Sequence, residues 1–245
     1  MRDVTVETEP GTVRLLLGAN GAGKSSLLNG ISGMAPVKGG SITLGELQLD
    51  RMRAHRISQA GVLQVPEGRR MVAPLTVAEN LQLGQLAARG REGTDGNLGT
   101  VDAIYAMFPA LYERRAIRAG QLSGGEQQML ALGRALMGVP RVILLDEPTM
   151  GLSPKFVDVV LECVRTIAAK GIGVLMVEQN VAALDVADYV YLMRLGEVVS
   201  SGPASEYAGD ERIVDSYLGV TSVAEVAEED EQESGSDGPV EGGTA

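Results

Sequence analysis

The segment Gly18-Ala-Asn-Gly-Ala-Gly-Lys24-Ser25 carries the clearest chemistry in the chain. It matches the pattern G-x-x-x-x-G-K-[ST] of a phosphate-binding loop at every fixed position. Glycines let the backbone N–H groups of such a loop point at phosphate oxygens, and the helix that follows adds partial positive charge. The lysine of the pattern reaches the β- and γ-phosphates of a nucleotide, and its serine ligates Mg²⁺. The residues predicted to hold the nucleotide are Gly18, Ala19, Asn20, Gly21, Ala22, Gly23, Lys24, Ser25 and Ser26.

Two adjacent carboxylates, Asp146 and Glu147, follow the apolar run Val142–Leu145. This run predicts a buried parallel strand, and ligands of open α/β sheets sit at the carboxyl edge where such strands end. In this position Asp146 is expected to hold Mg²⁺ through water, and Glu147 to orient and deprotonate an attacking water. Taken alone, the same residues also fit an ordinary strand with an acidic turn.

A second candidate phosphate site is the segment Leu122-Ser-Gly-Gly-Glu126. Its serine and glutamate form the S-x-x-E pattern of a capping box for the helix predicted to run to Met137. That reading leaves the two glycines unexplained, because glycine in a helix costs up to about 1 kcal/mol relative to alanine. Bare N–H groups at a helix start suit an anion such as a γ-phosphate. The candidate residues are Leu122, Ser123, Gly124, Gly125 and Glu126.

The elements that must position these residues follow from apolar runs and from glycine and proline breaks. Strands are predicted at Val4–Glu7, 13–17, 41–44, 46–49, 62–65, 141–145, 172–177, 189–193 and 198–200. Helices are predicted over 25–31 and 154–170, with two short ones up to Leu218, and a helical insertion is expected at about 70–140. Residues 1–219 are predicted to form one nucleotide-binding domain, and the acidic segment 220–245 a disordered tail.

The order and spacing of these motifs resemble the ATP-binding subunit of an ATP-binding-cassette (ABC) transporter over roughly residues 4–219. Pro148-Thr-Met-Gly-Leu-Ser-Pro154 matches the turn by which such subunits contact each other. Three further motifs look like the branched-chain amino acid (Liv-type) importer ATPase with VPEGR and VEQN. They are Val65-Pro-Glu-Gly-Arg-Arg70, Leu75-Thr-Val-Ala-Glu-Asn80 and Met176-Val-Glu-Gln-Asn180.

This resemblance implies an α/β fold of the P-loop NTPase (ABC) type, a mixed sheet with an inserted helical subdomain. It implies an ATPase that uses ATP and Mg²⁺ and forms a homo- or heterodimer, in which the 122–126 turn completes the ATP site of the other subunit. The helical subdomain would receive a cytoplasmic helix of a permease. The implied assembly has two permeases, a second ATPase and a solute-binding protein, and this subunit would lie on the cytoplasmic face of the membrane.

Several positions depart from the pattern of the wider family. Gln179 stands where most members place a histidine near the γ-phosphate, and we predict it as a catalytic residue with Glu147. Glu67 stands where a glutamine usually senses Mg²⁺, and we group it with Ser25 and Asp146 as a metal residue. Only seventeen residues precede Gly18, so the N-terminal strand region is expected to be shortened, and none of them is an aromatic that could stack on adenine. Either the start is mis-assigned, or this subunit binds adenine without a stack.

Composition limits the function classes. The sequence has no run of eighteen apolar residues and no apolar segment typical of a signal peptide. Eight of its 32 acids and no base lie in 221–245, which leaves 24 acids and 21 bases elsewhere, a net charge of −3. This balance disfavours a nucleic-acid partner. The one cysteine, Cys163, is expected in the core.

Three alternatives stay open from the residues. The first is an ATPase of a urea or short-amide importer. The second is a soluble ABC ATPase of DNA repair or translation, disfavoured by the short interval between the motifs and by the single cassette. The third is a nucleotide-gated adaptor that does not hydrolyse ATP, disfavoured by the presence of Lys24, Asp146 and Glu147.

Overall fold

The computed structural model describes residue 1 and residues 3–88 and 99–208. Three expectations lie outside these residues: most of the polar loop near 89–99, the last helix before Leu218, and the 220–245 tail. The domain boundaries at 219 and 220 therefore stay predictions.

A six-stranded mixed sheet forms the centre of the molecule, with strand order β4-β5-β6-β1-β7-β8. All neighbours run parallel except β7 and β8, which form an antiparallel hairpin. Its strands are β1 Val13–Gly18, β4 Val62–Val65, β5 Val142–Asp146, β6 Gly173–Glu178, β7 Tyr189–Arg194 and β8 Glu197–Pro203. A separate two-stranded pair consists of β2 Thr43–Leu44 and β3 Leu47–Gln48. The mixed α/β sheet predicted from the sequence is thus confirmed.

Seven α-helices accompany the sheet in the described residues. They are α1 Lys24–Ile31, α2 Ala54–Ala60, α3 Val77–Gly84, α4 Val101–Met107, α5 Pro109–Glu113, α6 Gly124–Leu136 and α7 Pro154–Ala169. The four helices α3 to α6 all lie between β4 and β5 in the chain, which agrees with the helical insertion expected there. The capping box predicted for Ser123 and Glu126 is present at the start of α6, and Thr76 and Glu79 form another at the start of α3.

Alternation along the buried strands gives the sheet two apolar faces. In β1, Leu15 and Leu17 belong to the larger core cluster, which includes residues of α3 to α7, whereas Leu16 belongs to the cluster that includes residues of α1 and α2. Cys163 is buried in the larger cluster, as predicted, and burial raises the pKa of its thiol to about 12. The sheet is therefore covered by helices on both faces, and a ligand can reach it at the ends of its strands.

The N-terminal segment corrects one expectation. The predicted strand Val4–Glu7 is absent, because this segment pairs with no strand of either sheet among the described residues. It is held by side-chain hydrogen bonds instead. The N–H of Glu7 donates to the hydroxyl of Tyr191 at 3.0 Å, and that hydroxyl donates to the carbonyl of Glu7 at 3.3 Å. The hydroxyl of Thr8 donates to the carbonyl of Val174 at 3.4 Å. The described helices include none long and apolar enough to cross a bilayer.

Candidate active site

The carboxyl edge of the sheet collects most of the predicted site residues. Strands β1, β5 and β6 are parallel neighbours and end at Gly18, Asp146 and Glu178. The phosphate loop, Gly18–Ser25, leaves β1 at this edge and turns directly into α1. Gly21 and Gly23 take φ angles of 79° and 108° there, a region that residues with a side chain seldom adopt. Ala22 is buried, while Ala19, Asn20 and Ser26 are exposed.

Lys24 is buried at the start of α1 and folds back over its own loop. Its Nζ donates to the carbonyl oxygens of Gly18 at 2.7 Å and Ala19 at 3.2 Å. It also lies 3.0 Å from Oε1 of Glu147, and both side chains of this ion pair are largely buried. A buried ammonium is stable only when its three N–H donors are satisfied. Here two carbonyls and one carboxylate satisfy them.

Ser25 and Asp146 form the best candidate for a Mg²⁺ site. The Ser25 hydroxyl donates to Oδ1 of Asp146 at 2.9 Å. Mg²⁺ prefers oxygen ligands and usually keeps several of its waters. A hydroxyl and a carboxylate side by side therefore fit the ion, Ser25 as a direct ligand and Asp146 through a water. Burial raises the pKa of Asp146, and the Ser25 hydrogen bond and the Lys24 charge oppose that shift.

Glu67, the third predicted metal residue, contributes its backbone rather than its side chain. Its N–H bonds to the Asp146 carboxylate, while its side chain is exposed. The neighbouring Gln64 donates from Nε2 to Oδ1 of Asn29 on α1 at 3.3 Å, and its own Oε1 is buried without a hydrogen bond. The loop after β4 therefore approaches the Asp146 carboxylate, and Glu67 as a metal ligand stays a prediction.

Glu147 and Gln179 meet directly. Nε2 of Gln179 lies 2.9 and 3.0 Å from the two carboxylate oxygens of Glu147, and 2.7 Å from Oδ1 of Asn20 in the phosphate loop. Glu147 has a φ of +46°, which is costly for a residue with a side chain and clusters at functional sites. A carboxylate positioned by one cation and one amide, at the rim of a phosphate loop, is suited to accept a proton from water.

Behind this pair lies a contact that sequence reasoning missed. Oε1 of Glu178 accepts hydrogen bonds from the N–H and the hydroxyl of Thr149, at 2.8 and 2.7 Å, and Oε2 accepts one from the N–H of Gln179 at 3.3 Å. Burial raises the pKa of Glu178 although these hydrogen bonds favour its charged form. Glu178 thus joins the turn after Glu147 to the residue that contacts Glu147. An acid that ends the apolar strand Gly173–Glu178 was the available signal.

The turn Leu122–Glu126, called the signature turn below, is built differently. Oε2 of Glu126 accepts from the N–H of Ser123 at 2.8 Å, and Arg114 pairs with the same carboxylate at 3.3 Å. No hydrogen bond or ion pair between described residues links this turn to the phosphate loop of its own chain.

Packing accounts for both glycines of the signature turn. A Cβ at Gly125 would lie 2.2–2.5 Å from ring atoms of Phe156 on α7. A Cβ at Gly124 would lie 3.0 Å from the guanidinium of Arg69, in the loop after β4, which also donates to Gln127 at 3.4 Å. The glycines therefore let a ring and a guanidinium lie flat on the turn, a reason that is independent of any bound phosphate.

The sequence matches the protein family model described as "ABC transporter" over residues 1–150. It is 39% identical over 220 residues to the high-affinity branched-chain amino acid transport ATP-binding protein BraG of Pseudomonas aeruginosa, covering 89% of this chain and 93% of that one. It is 34% identical over 220 residues to the probable branched-chain amino acid transport ATP-binding protein LivF of Archaeoglobus fulgidus, covering 89% and 92%.

Solved structures give the same answer for the fold. The ADP conformation of MJ1267, an ATP-binding cassette of an ABC transporter, superposes with a TM-score of 0.72 at 25% identity, covering 91% of this chain and 90% of that one. The dimeric structure of MJ0796, a bacterial ABC transporter cassette, has a TM-score of 0.71 at 22% identity and covers 82% and 89%.

Proposed function

The chain belongs to the ABC transporter family of ATP-binding proteins, and from that premise we propose that it energises an importer of branched-chain amino acids. It is an ATPase by family. What is proposed is the role of each residue, the dimer, the membrane partners and the cargo. The observation that carries the catalytic part is the buried Lys24–Glu147 ion pair at the carboxyl edge of the sheet.

Binding of ATP replaces the contacts that Lys24 makes within the chain. Its three N–H donors turn from Gly18, Ala19 and Glu147 to the β- and γ-phosphates. Glu147 is then free to take a proton from water as the water oxygen attacks the γ-phosphorus. The bond between that phosphorus and the bridging oxygen breaks, and ADP leaves with the electron pair. Gln179 holds the Glu147 carboxylate throughout.

Ser25 and Asp146 supply the Mg²⁺ site, Ser25 directly and Asp146 through water. When bound, Mg²⁺ neutralises charge that develops on the phosphate oxygens. The Ser25–Asp146 hydrogen bond places the hydroxyl next to the carboxylate, so that Ser25 could ligate the ion and Asp146 could bind one of its waters. Glu67, whose N–H bonds to the Asp146 carboxylate, would be the third metal residue, with its own carboxylate binding the ion or one of its waters.

The signature turn binds the γ-phosphate of an ATP held by a second subunit. Its contacts within the chain satisfy the N–H groups of Ser123 and Glu126, and the N–H groups of Gly124 and Gly125 serve the anion. Closure of such a dimer around two ATP molecules, followed by opening after hydrolysis, drives two permeases between their inward and outward states. The subunit acts as a peripheral protein on the cytoplasmic face of the membrane.

The cargo is proposed from the similarity to BraG and LivF alone, because the contacts with cargo lie in other subunits. Affinity purification from detergent-solubilised membranes, with the co-purifying chains identified, tests the assembly. A co-purifying solute-binding protein is then titrated with leucine, isoleucine, valine and urea. Binding of urea alone, or transport of solute outward, would contradict the importer of branched-chain amino acids.

Steady-state ATP turnover of the purified chain, alone and with its partner ATPase, tests the catalytic part. Turnover that needs Mg²⁺ and disappears in Lys24→Ala supports it. ATP binding with no turnover in either preparation would leave the third alternative, a nucleotide-gated adaptor, as the function.

A further inference from the structure

Asn20 is the third residue of the phosphate loop. It is exposed, but its side chain contacts Gln179. Its Oδ1 lies 2.7 Å from Nε2 of Gln179, the shortest of the three contacts that this nitrogen makes. The phosphate loop and the turn after β6 are 159 residues apart in sequence. This hydrogen bond therefore links the loop that holds the phosphates to the residue that contacts Glu147.

The orientation of the Gln179 amide follows from hydrogen-bond chemistry. Nε2 carries two hydrogens, and the atoms around it are the two carboxylate oxygens of Glu147 and the amide oxygen of Asn20, all of them acceptors. A flipped amide would place its own oxygen against these acceptors. One N–H consequently serves Glu147 and the other serves Asn20, and the oxygen of Gln179 points away from both.

The role of this hydrogen bond changes when a nucleotide binds. In the structure Glu147 is held on two sides, by Lys24 and by Gln179. When phosphates bind Lys24 in place of Glu147, Gln179 becomes the remaining side-chain contact of Glu147 among those described. A histidine at position 179 would have one N–H on each ring nitrogen at most, whereas the amide has both N–H groups on one atom and can bridge two acceptors.

We propose that Asn20 is a positioning residue for hydrolysis: it anchors the amide of Gln179, and through it the Glu147 carboxylate, to the phosphate loop. The position of the general base is thereby set by the same loop that sets the position of the γ-phosphate. This inference rests on the proposed function, in which Glu147 accepts the proton. It gives the Asn20 side chain a task in the chemical step, whereas nucleotide binding by the loop is expected of its backbone N–H groups, which an alanine at this position keeps.

A double-mutant cycle on the full-length chain tests the inference, with Asn20→Ala, Gln179→Ala and both together. The readouts are the single-turnover hydrolysis rate at saturating Mg²⁺-ATP and the affinity for ATP. One neutral hydrogen bond corresponds to about a 2- to 10-fold change in rate. We expect Asn20→Ala to lower the rate by about that factor and to leave the affinity within about twofold.

The second half of the cycle separates positioning from a general effect on the loop. If Asn20 acts through Gln179, Asn20→Ala lowers the rate less than about 1.5-fold once Gln179 is alanine, since coupled residues are not additive. Equal fold-losses in both backgrounds would overturn the inference. A loss of ATP affinity at an unchanged single-turnover rate would also overturn it, because Asn20 would then serve binding alone.

Glu147→Gln, measured in the same assay, keeps the two failures apart. A Glu147→Gln variant that hydrolyses ATP at the wild-type rate would refute the proposed general base, and the inference with it. A slow Glu147→Gln together with additive Asn20 and Gln179 losses refutes only the role of Asn20. A slow Glu147→Gln with non-additive losses supports both.

Discussion

The phosphate loop and the signature turn each lead into a helix, yet the two helix starts are satisfied in different ways. Helix α1 has no side-chain cap, its N-cap residue is Gly23, and its first turn holds no acid. Helix α6 has a complete capping box, with Glu126 in its first turn. The first N–H groups of a helix have no partner within it. Helix α1 therefore leaves these donors to a phosphate, whereas α6 satisfies part of them itself.

A second difference concerns charge. The phosphate loop faces the buried pair Lys24–Glu147, whose members must separate when a nucleotide binds. The signature turn pairs Glu126 with the half-exposed Arg114, and this pair does not have to break. At the phosphate loop, Lys24 can therefore contact either Glu147 or the phosphates. The signature turn, in contrast, keeps one arrangement, because it packs against Phe156 and Arg69. Substitutions around the phosphate loop should therefore change the rate of hydrolysis, whereas substitutions in the signature turn should change the free energy of unfolding.

The largest expected effect is that of Glu147→Gln. Glutamine keeps the shape of the side chain but cannot accept the proton, and general-base assistance contributes about 10²–10⁴-fold. We expect single-turnover hydrolysis to fall by at least about 100-fold. ATP affinity should be retained or increased, because Lys24 no longer has to leave a carboxylate.

Isothermal titration with Mg²⁺-ATP and single-turnover hydrolysis measure both quantities for this variant. ATP-dependent dimerisation provides a third readout, since a chain that binds but does not hydrolyse should stay closed. Near-normal hydrolysis by Glu147→Gln would mean that another residue is the base. If this variant and Gln179→Ala both hydrolyse normally, the site of this subunit is silent and the ATP is hydrolysed at its partner's site.

The signature turn should respond in stability. In Gly125→Ala the new methyl group would overlap the Phe156 ring, and overpacking of this kind costs about 1–3 kcal/mol. Gly124→Ala is the matched control, because there the neighbour is the movable end of Arg69 and the gain in helix propensity of up to about 1 kcal/mol offsets the contact. Urea unfolding of both variants measures the difference.

A double variant, Gly125→Ala with Phe156→Ala, checks the cause. Removing the ring also removes its own packing, so the double variant is compared with Phe156→Ala alone. We expect Gly125→Ala to cost nothing in that background. If it is equally costly there, the ring is not the reason for the glycine.

Gln179→Ala should have a smaller effect than Glu147→Gln. The glutamine is no base, but its loss removes one neutral hydrogen bond to Asn20 and one to the charged Glu147 carboxylate. A bond to a charged group is worth roughly 1.5–3 kcal/mol, so we expect hydrolysis to fall by about 10- to 100-fold with ATP affinity nearly unchanged. The matched test is Gln179→His, which restores one donor to the Glu147 carboxylate. A completely inactive Gln179→Ala beside an active Glu147→Gln would reverse the roles assigned to the two residues.

How much of this could be predicted from the sequence differs between the same two regions. The phosphate loop, the strand ending at Asp146 and both capping boxes have local signals, and the structure has each of those elements. The contacts of Gly125 with Phe156 and of Gly124 with Arg69 join distant segments, so no local pattern reports them. The sequence therefore indicates phosphate binding as the only reason for glycine at these two positions, and the packing in the structure is an additional one.

Two other errors have similar causes. The predicted strand Val4–Glu7 has the right residue types, but strand formation depends on a partner edge. Here a side chain, the hydroxyl of Tyr191, bonds to the backbone of Glu7 in place of a neighbouring strand. Glu178 is not among the predicted site residues, because the comparison with the family pattern draws attention to its neighbour Gln179. Its importance depends on the approach of Thr149, and the chain distance between the two hides that approach.

The smallest effect predicted here concerns Glu178 and pH. Burial raises the pKa of Glu178 above its usual value of 4.5, so the folded chain holds this proton more tightly than the unfolded chain. The free energy of unfolding should therefore fall as pH rises from about 4.5 through the raised pKa, and this contribution should level off above it.

Glu178→Gln cannot titrate, yet its carbonyl oxygen can still accept from the N–H and hydroxyl of Thr149. The variant pays a constant cost, since its amide NH₂ faces the N–H of Gln179, and only the pH-dependent part is diagnostic. Asp146, whose pKa is also raised, is present in both chains and cancels in the difference. Urea unfolding of both chains without nucleotide, from about pH 4 to about pH 8, should show the variant gaining on the wild type as pH rises. A difference that stays constant over this range would mean that Glu178 has the same pKa in the folded and unfolded chains, and that its hydrogen bonds offset its burial.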